Sequence, residues 1–142
     1  MKKILFLCTG NYYRSRFAEH FFNHLAQKQG LNWQADSRGL AVERGIKNVG
    51  PISKHTIAFL NELGITVSEN ERFPLQATDA DFANADKIIA LDESEHRPLM
   101  SDRYPQWEAA VHYWLIHDLH MTPASTALSA IAQKIRQLLT EL

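Results

Sequence analysis

Residues 3–30 read KILFLCTGNYYRSRFAEHFFNHLAQKQG, an apolar run followed by an amphipathic one. The run KILFLC is continuously apolar after Lys3, which predicts a buried strand that ends at the turn-forming residues TGN. From Ser15 onward the apolar residues recur with helical spacing until Gly30 ends the pattern. The stretch therefore predicts a strand, a short loop that holds a cysteine and an arginine, and a helix.

The rest of the chain repeats this alternation of strand and helix. Three more apolar segments predict strands, namely NWQADS at 32–37, KIIAL at 87–91 and VHYWLI at 111–116. Further helices are predicted to start near Ser53, Thr78, Asp92 and the pair Thr122-Pro123. This alternation predicts an α/β fold, a three-layer sandwich with a four-stranded parallel sheet and helices on both faces. With 142 residues, we expect a single domain over 1–142.

The composition narrows the partners and the compartment. The chain has 15 basic and 16 acidic residues, and the basic ones are scattered, so we expect no nucleic-acid or membrane partner. One cysteine, Cys8, rules out an internal disulfide and fits a reducing compartment, so we expect a cytoplasmic protein. No apolar stretch is long enough to cross a bilayer.

The loop after the first strand has the features of an anion-binding site. Backbone N–H groups of a loop that closes onto a helix N-terminus converge there, and the helix dipole adds positive charge. Gly10 would allow close approach or a positive φ, and Asn11 tolerates a left-handed conformation. Arg14 offers a planar fork suited to two phosphate oxygens. The same surroundings favour the thiolate of Cys8, and Ser15 can donate a hydrogen bond to that sulfur.

The segment CTGNYYRSRFAEHFF resembles the phosphate loop of the low-molecular-weight protein tyrosine phosphatase family, and NWQADS, DFANADKIIALDES and LIHDL resemble later family segments. The resemblance implies a phosphate loop after the first strand and a cofactor-free phosphomonoester hydrolase that acts on phosphotyrosine through a phosphocysteine. It implies that Cys8 is the nucleophile, that Arg14 clamps the phosphate and that Asp118 is the general acid and base. Asn11, hydrogen-bonded to Ser37, would support the loop. The predicted substrate-binding residues are Thr9, Gly10, Asn11, Tyr12, Tyr13 and Ser15.

Three departures from the family pattern are visible. Tyr13 stands where the family often has a second cysteine, so a disulfide that protects the nucleophile is not possible. Arg16 replaces a common proline, and we expect little effect on catalysis. Leu119 and His120 replace the proline and tyrosine that usually follow the acid, and residues 38–50 contain no aromatic side chain. The expected substrates are a phosphorylated protein or a small aryl phosphate, with phosphate, sulfate or vanadate binding in the loop.

Other interpretations compete with these roles. Asp118 could be a cap for the last helix, Ser37 a turn hydroxyl, and Asp92 is interpreted as a structural cap. His112, His117 and His120 could surround a metal with Asp118, but His112 and His117 are an odd number of residues apart and tend to face opposite ways on a strand, so we predict no metal. Arsenate reduction in its thioredoxin-linked form needs further cysteines. A non-catalytic phosphate or phosphoprotein binding module remains the alternative, supported by the altered sequence HDLH.

Overall fold

The computed structural model describes residues 1–142 and contains four strands and five α-helices. The strands are β1 (Lys2–Cys8), β2 (Trp33–Gly39), β3 (Lys87–Ala90) and β4 (Val111–Tyr113). The helices are α1 (Arg14–Lys28), α2 (Lys54–Glu62), α3 (Asp79–Asn84), α4 (Glu93–Arg103) and α5 (Ala124–Thr140). The strands form one parallel sheet in the order β2-β1-β3-β4. The predicted α/β class and sheet, with the loop after β1, are confirmed.

The sheet is covered on both faces because β1 alternates between two cores. Ile4 and Phe6 belong to the larger core, which contains the apolar residues of α1 and α5. Leu5 and Leu7 belong to the smaller core, together with residues of α3 and α4. Successive side chains of a strand point to opposite faces, so a continuously apolar strand is suited to the centre of such a sandwich.

The last strand is shorter than its predicted range of 111–116. Regular pairing ends at Tyr113, after which Leu115 forms an isolated bridge with Asp92. The backbone still follows β3, because Trp114 N donates to Ala90 O and Ile116 N to Leu91 O. This irregular continuation leads the segment after Ile116 to the carboxyl edge of the sheet, the edge at which β1 also ends.

The long connection after β2 is fixed against the loop that follows β1. Leu40 N donates to Cys8 O at 2.9 Å and Ala41 N donates to Thr9 O at the same distance. A Cβ added to Gly39 would lie 2.8 Å from Thr9 O, so only glycine allows the two segments to come this close. A 3₁₀ turn at Val42–Gly45 then leads the chain past the same edge. None of the helices has both the length and the apolar character to cross a membrane.

Candidate active site

Cys8 lies at the carboxyl end of β1 with its side chain almost wholly buried. Its Sγ is 2.9 Å from Ser15 Oγ, in the first turn of α1. Asn11 Nδ2 donates to the same Ser15 Oγ at 2.9 Å, so that oxygen already accepts one hydrogen bond. The Ser15 hydroxyl hydrogen is therefore free to be donated to the sulfur, which stabilises a thiolate.

Asn11 holds the loop in a conformation that few residues adopt. It is the one non-glycine residue with a positive φ, at 51°, and it is completely buried. Its Nδ2 also donates to Ser37 Oγ at 2.9 Å, and its Oδ1 accepts from Arg72 Nη1 at 2.9 Å and from Leu75 N at 3.2 Å. The amide is thus saturated, and the predicted contact between Asn11 and Ser37 is present.

Of the two roles that the sequence allowed for Gly10, the positive φ is wrong. Gly10 does not have a positive φ, and the left-handed position of the loop is Asn11 instead. A Cβ built on Gly10 would meet only Asn48 Nδ2, at 3.9 Å, so no protein atom requires glycine there. Gly10 and Asn48 both line the cavity described below, and the missing side chain of Gly10 leaves space in it.

Two arginines that the sequence reading gave no role lie beneath this loop. Arg72 Nη2 donates to Ser37 O at 2.9 Å, in addition to the bond from its Nη1 to Asn11. Arg16 is completely buried and donates to Pro51 O at 3.0 Å, Arg72 O at 2.9 Å and Glu71 Oε1 at 3.1 Å. No spacing rule links residues 16 and 72, so only the fold reveals that they support the loop together.

Arg14 is surrounded by acidic groups and by the segment that follows β4. Its Nη1 donates to Ile116 O at 2.9 Å, and its Nη2 donates to Glu95 Oε2 at 2.7 Å. Asp92 Oδ2 lies 3.6 Å from Nη1 and Asp118 Oδ2 lies 4.0 Å from Nη2. Burial alone would lower the pKa of Arg14, but the charges of Cys8, Glu95 and Asp118 raise it. The guanidinium is therefore a permanent positive charge next to the sulfur.

Asp118 reaches this site from a segment that is fixed by its own turn. Asp118 O accepts from Met121 N at 2.9 Å and from Thr122 N at 3.0 Å, and Asp118 Oδ1 accepts from Leu119 N at 2.9 Å. Its other oxygen, Oδ2, is the one nearest Arg14. The residue at the cap of α5 is Pro123, so Asp118 is not the cap of that helix.

These groups surround a cavity of about 480 Å³ at the carboxyl edge of the sheet. Its lining residues are Cys8, Thr9, Gly10, Tyr12, Tyr13, Arg14, Arg44, Gly45, Asn48, Glu95, Asp118, Leu119 and His120. Asn11 and Ser15, which the sequence reading placed among the substrate-binding residues, are not in this lining. Both are completely buried beneath the loop, because their side chains hydrogen-bond each other and hold its shape.

The family model for low molecular weight phosphotyrosine protein phosphatase matches residues 3–124. The chain belongs to this family. The low molecular weight phosphotyrosine protein phosphatase of Homo sapiens is 36% identical over 100 residues, which is 69% of this chain and 60% of that protein. The protein-arginine-phosphatase of Bacillus subtilis is 28% identical over 108 residues, 76% of this chain and 67% of that protein.

A solved structure shows the same fold. The crystal structure of the low molecular weight protein tyrosine phosphatase from T. tengcongensis superposes with a TM-score of 0.83 at 24% identity, over 100% of both chains. The curated human relative is longer, and this chain spans 60% of its length.

Glu95 is a residue of this cavity that the sequence did not indicate. It is the third residue of α4, and its Oε2 accepts from Arg14, from Thr9 Oγ1 and from His96 Nε2, the last at 2.9 Å. Burial alone would raise the pKa of this carboxyl, but the hydrogen bond from His96, the charge of Arg14 and the bond from Thr9 hold it well below its usual range. The segment DESE gave only a helix-start signal, because acidic residues are common in a first turn.

The histidines near the acid do not converge. His117 Nδ1 lies 2.8 Å from Asp92 Oδ2, His120 lines the cavity, and His112 is exposed on β4. No three histidine, cysteine or acidic side chains form a group that could hold a metal ion. Asp92 also caps α4 by accepting from Ser94 N at 3.1 Å, as predicted. It therefore links the start of α4 to the segment that contains His117 and Asp118.

The two tyrosines of the loop both line the cavity, in different ways. Tyr12 OH donates to Val49 O and so ties the loop to the segment that follows β2. Burial raises the pKa of Tyr13 to about 12, and its hydroxyl has no hydrogen-bond partner in the protein. They supply the aromatic surface that residues 38–50 do not contain.

Proposed function

We propose that the chain is a cysteine-dependent phosphomonoester hydrolase of the protein tyrosine phosphatase type, located in the cytoplasm and folded as one domain. The observation that carries the proposal is the arrangement around Cys8. Its sulfur lies 2.9 Å from the Ser15 hydroxyl in a cavity that Arg14 and Asp118 also line. A nucleophile, an anion clamp and a proton donor in one cavity are what phosphoryl transfer through a covalent intermediate requires.

The first step transfers the phosphoryl group to sulfur. The Cys8 thiolate attacks phosphorus, an S–P bond forms, and the bond from phosphorus to the leaving oxygen breaks. Asp118 donates its proton to that oxygen, so the product alcohol or phenol leaves neutral. The Arg14 guanidinium and the loop N–H groups, including those of Thr9 and Gly10, stabilise the charge on the other phosphate oxygens.

The second step returns the enzyme to its starting state. The Asp118 carboxylate takes a proton from water, the water oxygen bonds to phosphorus, and the S–P bond breaks. The hydroxyl of Ser15 donates to the departing sulfur and so stabilises the thiolate that is regenerated. Asn11 supports this geometry from beneath the loop by donating to Ser15.

Phosphotyrosine is the leading substrate because the cavity has aromatic walls. Tyr12 and Tyr13 line the same cavity as Cys8, so they could contact the ring of a phosphotyrosine. The relative from Homo sapiens carries phosphotyrosine in its name. Membership of this family also supports a phosphatase over a non-catalytic phosphate-binding module.

Phosphoarginine is a second candidate substrate, favoured by the acidic wall. Glu95 and Asp118 both line the cavity, and the hydrogen bonds to Glu95 use Oε2, which leaves Oε1 without a partner among the protein's hydrogen bonds. A guanidinium leaving group has several N–H donors that match such carboxylates. A relative from Bacillus subtilis is named protein-arginine-phosphatase.

Steady-state hydrolysis of three matched peptides tests the reaction and the substrate together. The peptides share one sequence and carry phosphotyrosine, phosphoserine or phosphoarginine. We expect kcat/KM to be highest for phosphotyrosine, and a higher value for phosphoarginine would establish the second candidate instead.

The Cys8→Ala variant is the control for the mechanism. We expect it to keep the fold and to lose turnover of all three peptides. Wild-type turnover in this variant would contradict a cysteine nucleophile, and no turnover in the wild type despite phosphate binding would favour the binding module.

A further inference from the structure

Glu95 places a carboxylate on Arg14, the residue that clamps the phosphate in the proposed function. Its Oε2 lies 2.7 Å from Arg14 Nη2 and also accepts from the Thr9 hydroxyl. Arg14 Nη1 is already bound to Ile116 O, and Arg14 and Glu95 both line the cavity in which an anion would bind. The carboxylate and a bound phosphate therefore share one guanidinium.

The charge of this carboxylate is not neutralised by its histidine neighbour. His96 Nδ1 accepts from Asp92 N at 3.0 Å, so the ring hydrogen is on Nε2, which faces Glu95 and Thr9. Burial lowers the pKa of His96, so this ring is a neutral donor. The Glu95 carboxylate therefore keeps its full negative charge in the cavity, and its nearest cation is Arg14.

This arrangement could either strengthen or weaken phosphate binding. If Glu95 mainly orients Arg14, its charge helps the clamp, and removing the charge weakens phosphate binding. If repulsion between the carboxylate and the dianion dominates, removing the charge tightens binding. The guanidinium is already oriented by Ile116 O at 2.9 Å and lies 3.6 Å from Asp92, so it has other partners that fix it.

We propose that Glu95 is an internal competitor of phosphate that weakens binding of the dianion in the loop and so hastens release of the product. The inference depends on the proposed function only in taking phosphate as the product. It assigns Glu95 a role in affinity and product release, separate from the bond-breaking groups Cys8 and Asp118.

Calorimetric titration with inorganic phosphate tests this without any turnover. We expect Glu95→Gln to bind phosphate about tenfold more tightly than the wild type, the size expected when one like charge is removed at short range. Glu93→Gln is the matched control, because Glu93 is on the same helix and pairs with Arg97 at the surface. Glu93→Gln removes the same formal charge, and its affinity for inorganic phosphate should stay within about twofold of the wild type.

Two further variants keep the test decisive if Glu95→Gln folds poorly, which a thermal melt would reveal. Glu95→Ala should also bind phosphate more tightly, whereas Glu95→Asp retains the charge and should stay near the wild type. Unchanged or weaker phosphate binding in folded Glu95→Gln and Glu95→Ala would overturn the proposal. Failure of the proposed function would instead show as absent turnover, which a binding titration does not measure.

Discussion

At the scale of single residues, removal of the Asp118 carboxyl should slow substrates with poor leaving groups more than substrates with good ones. Asp118→Asn cannot donate a proton, so kcat for an alkyl phosphate should fall by about 10²- to 10⁴-fold. The rate of phosphoryl transfer to Cys8 from p-nitrophenyl phosphate should fall much less, because its leaving group needs little protonation. Burst kinetics on both substrates measure this, and equal losses on the two would argue against an acid role.

Arg72 offers a test of a residue that touches no part of the substrate. Arg72→Met removes the donors to Asn11 Oδ1 and Ser37 O, so each of these oxygens keeps one fewer hydrogen bond to hold it in place. We expect kcat to fall by about tenfold while KM changes little, because a shifted Asn11 releases Ser15 from the sulfur. Arg97→Met is a control at an exposed ion pair with Glu93, and a loss of stability in Arg72→Met with kcat intact would show that Arg72 only holds the fold.

The sequence indicated the residues that act directly more readily than those that support them. Cys8, Arg14 and Ser15 lie within one local motif, so strand-to-helix spacing alone placed them together. Glu95 and Arg72 meet the motif only after folding has brought distant segments together, and Arg16 follows Ser15 in the chain but finds its partners in residues 51–72. In the sequence, all three look like ordinary surface charges. The left-handed residue was narrowed to two candidates, and only the backbone shows that it is Asn11 rather than Gly10.

At the scale of elements, the start of α4 connects helix stability to the acid segment. Asp92 caps α4, and its Oδ2 also binds His117, next to Asp118 in the chain. Thr78 caps α3 in a capping box far from the sulfur in sequence and outside the cavity lining. The two caps are therefore a matched pair, one attached to the site and one not.

Asp92→Ala and Thr78→Ala should each lower the free energy of unfolding by about 0.5–2 kcal/mol, the usual cost of a lost cap. Only Asp92→Ala should also lower kcat, because it frees His117 and removes a carboxylate 3.6 Å from Arg14. Urea unfolding and steady-state kinetics on both variants check this. An equal effect on kcat in the two would mean that the tether does not position the acid.

The pattern of apolar residues predicted the strands and helices well, apart from the end of β4. VHYWLI is apolar enough to predict a strand over 111–116, yet regular pairing stops at Tyr113. The physical reason lies in the partner, since β3 ends at Ala90 and cannot pair regularly further. The irregular segment that results is what carries Asp118 to the cavity.

At the scale of the whole molecule, His96 should make folding sensitive to mild acid. The ring is buried and neutral, and its pKa in the folded protein is lowered by burial. As pH falls below about 6.5, the unfolded chain gains a proton that the folded protein does not, so stability decreases by up to about 1.4 kcal/mol per pH unit. The depressed pKa of Glu95 acts in the same direction, but only below its unfolded value of 4.5.

Urea unfolding of the wild type and of His96→Gln at about pH 7.5 and pH 5.5 measures this contribution. The wild type should lose more free energy of unfolding between the two pH values than the variant. An identical loss in both proteins would show that His96 does not titrate on unfolding in this range.

We expect the sulfur of Cys8 to carry the phosphoryl group during turnover. Rapid acid quench of the Asp118→Ala variant with p-nitrophenyl phosphate, followed by mass spectrometry, measures it directly, because slow hydrolysis of the intermediate should let it accumulate. We predict one phosphoryl group per chain, located on Cys8 by fragmentation and absent from Cys8→Ala. Burst release of p-nitrophenol with no phosphoryl group on the chain, or with the group on another residue, would contradict the account.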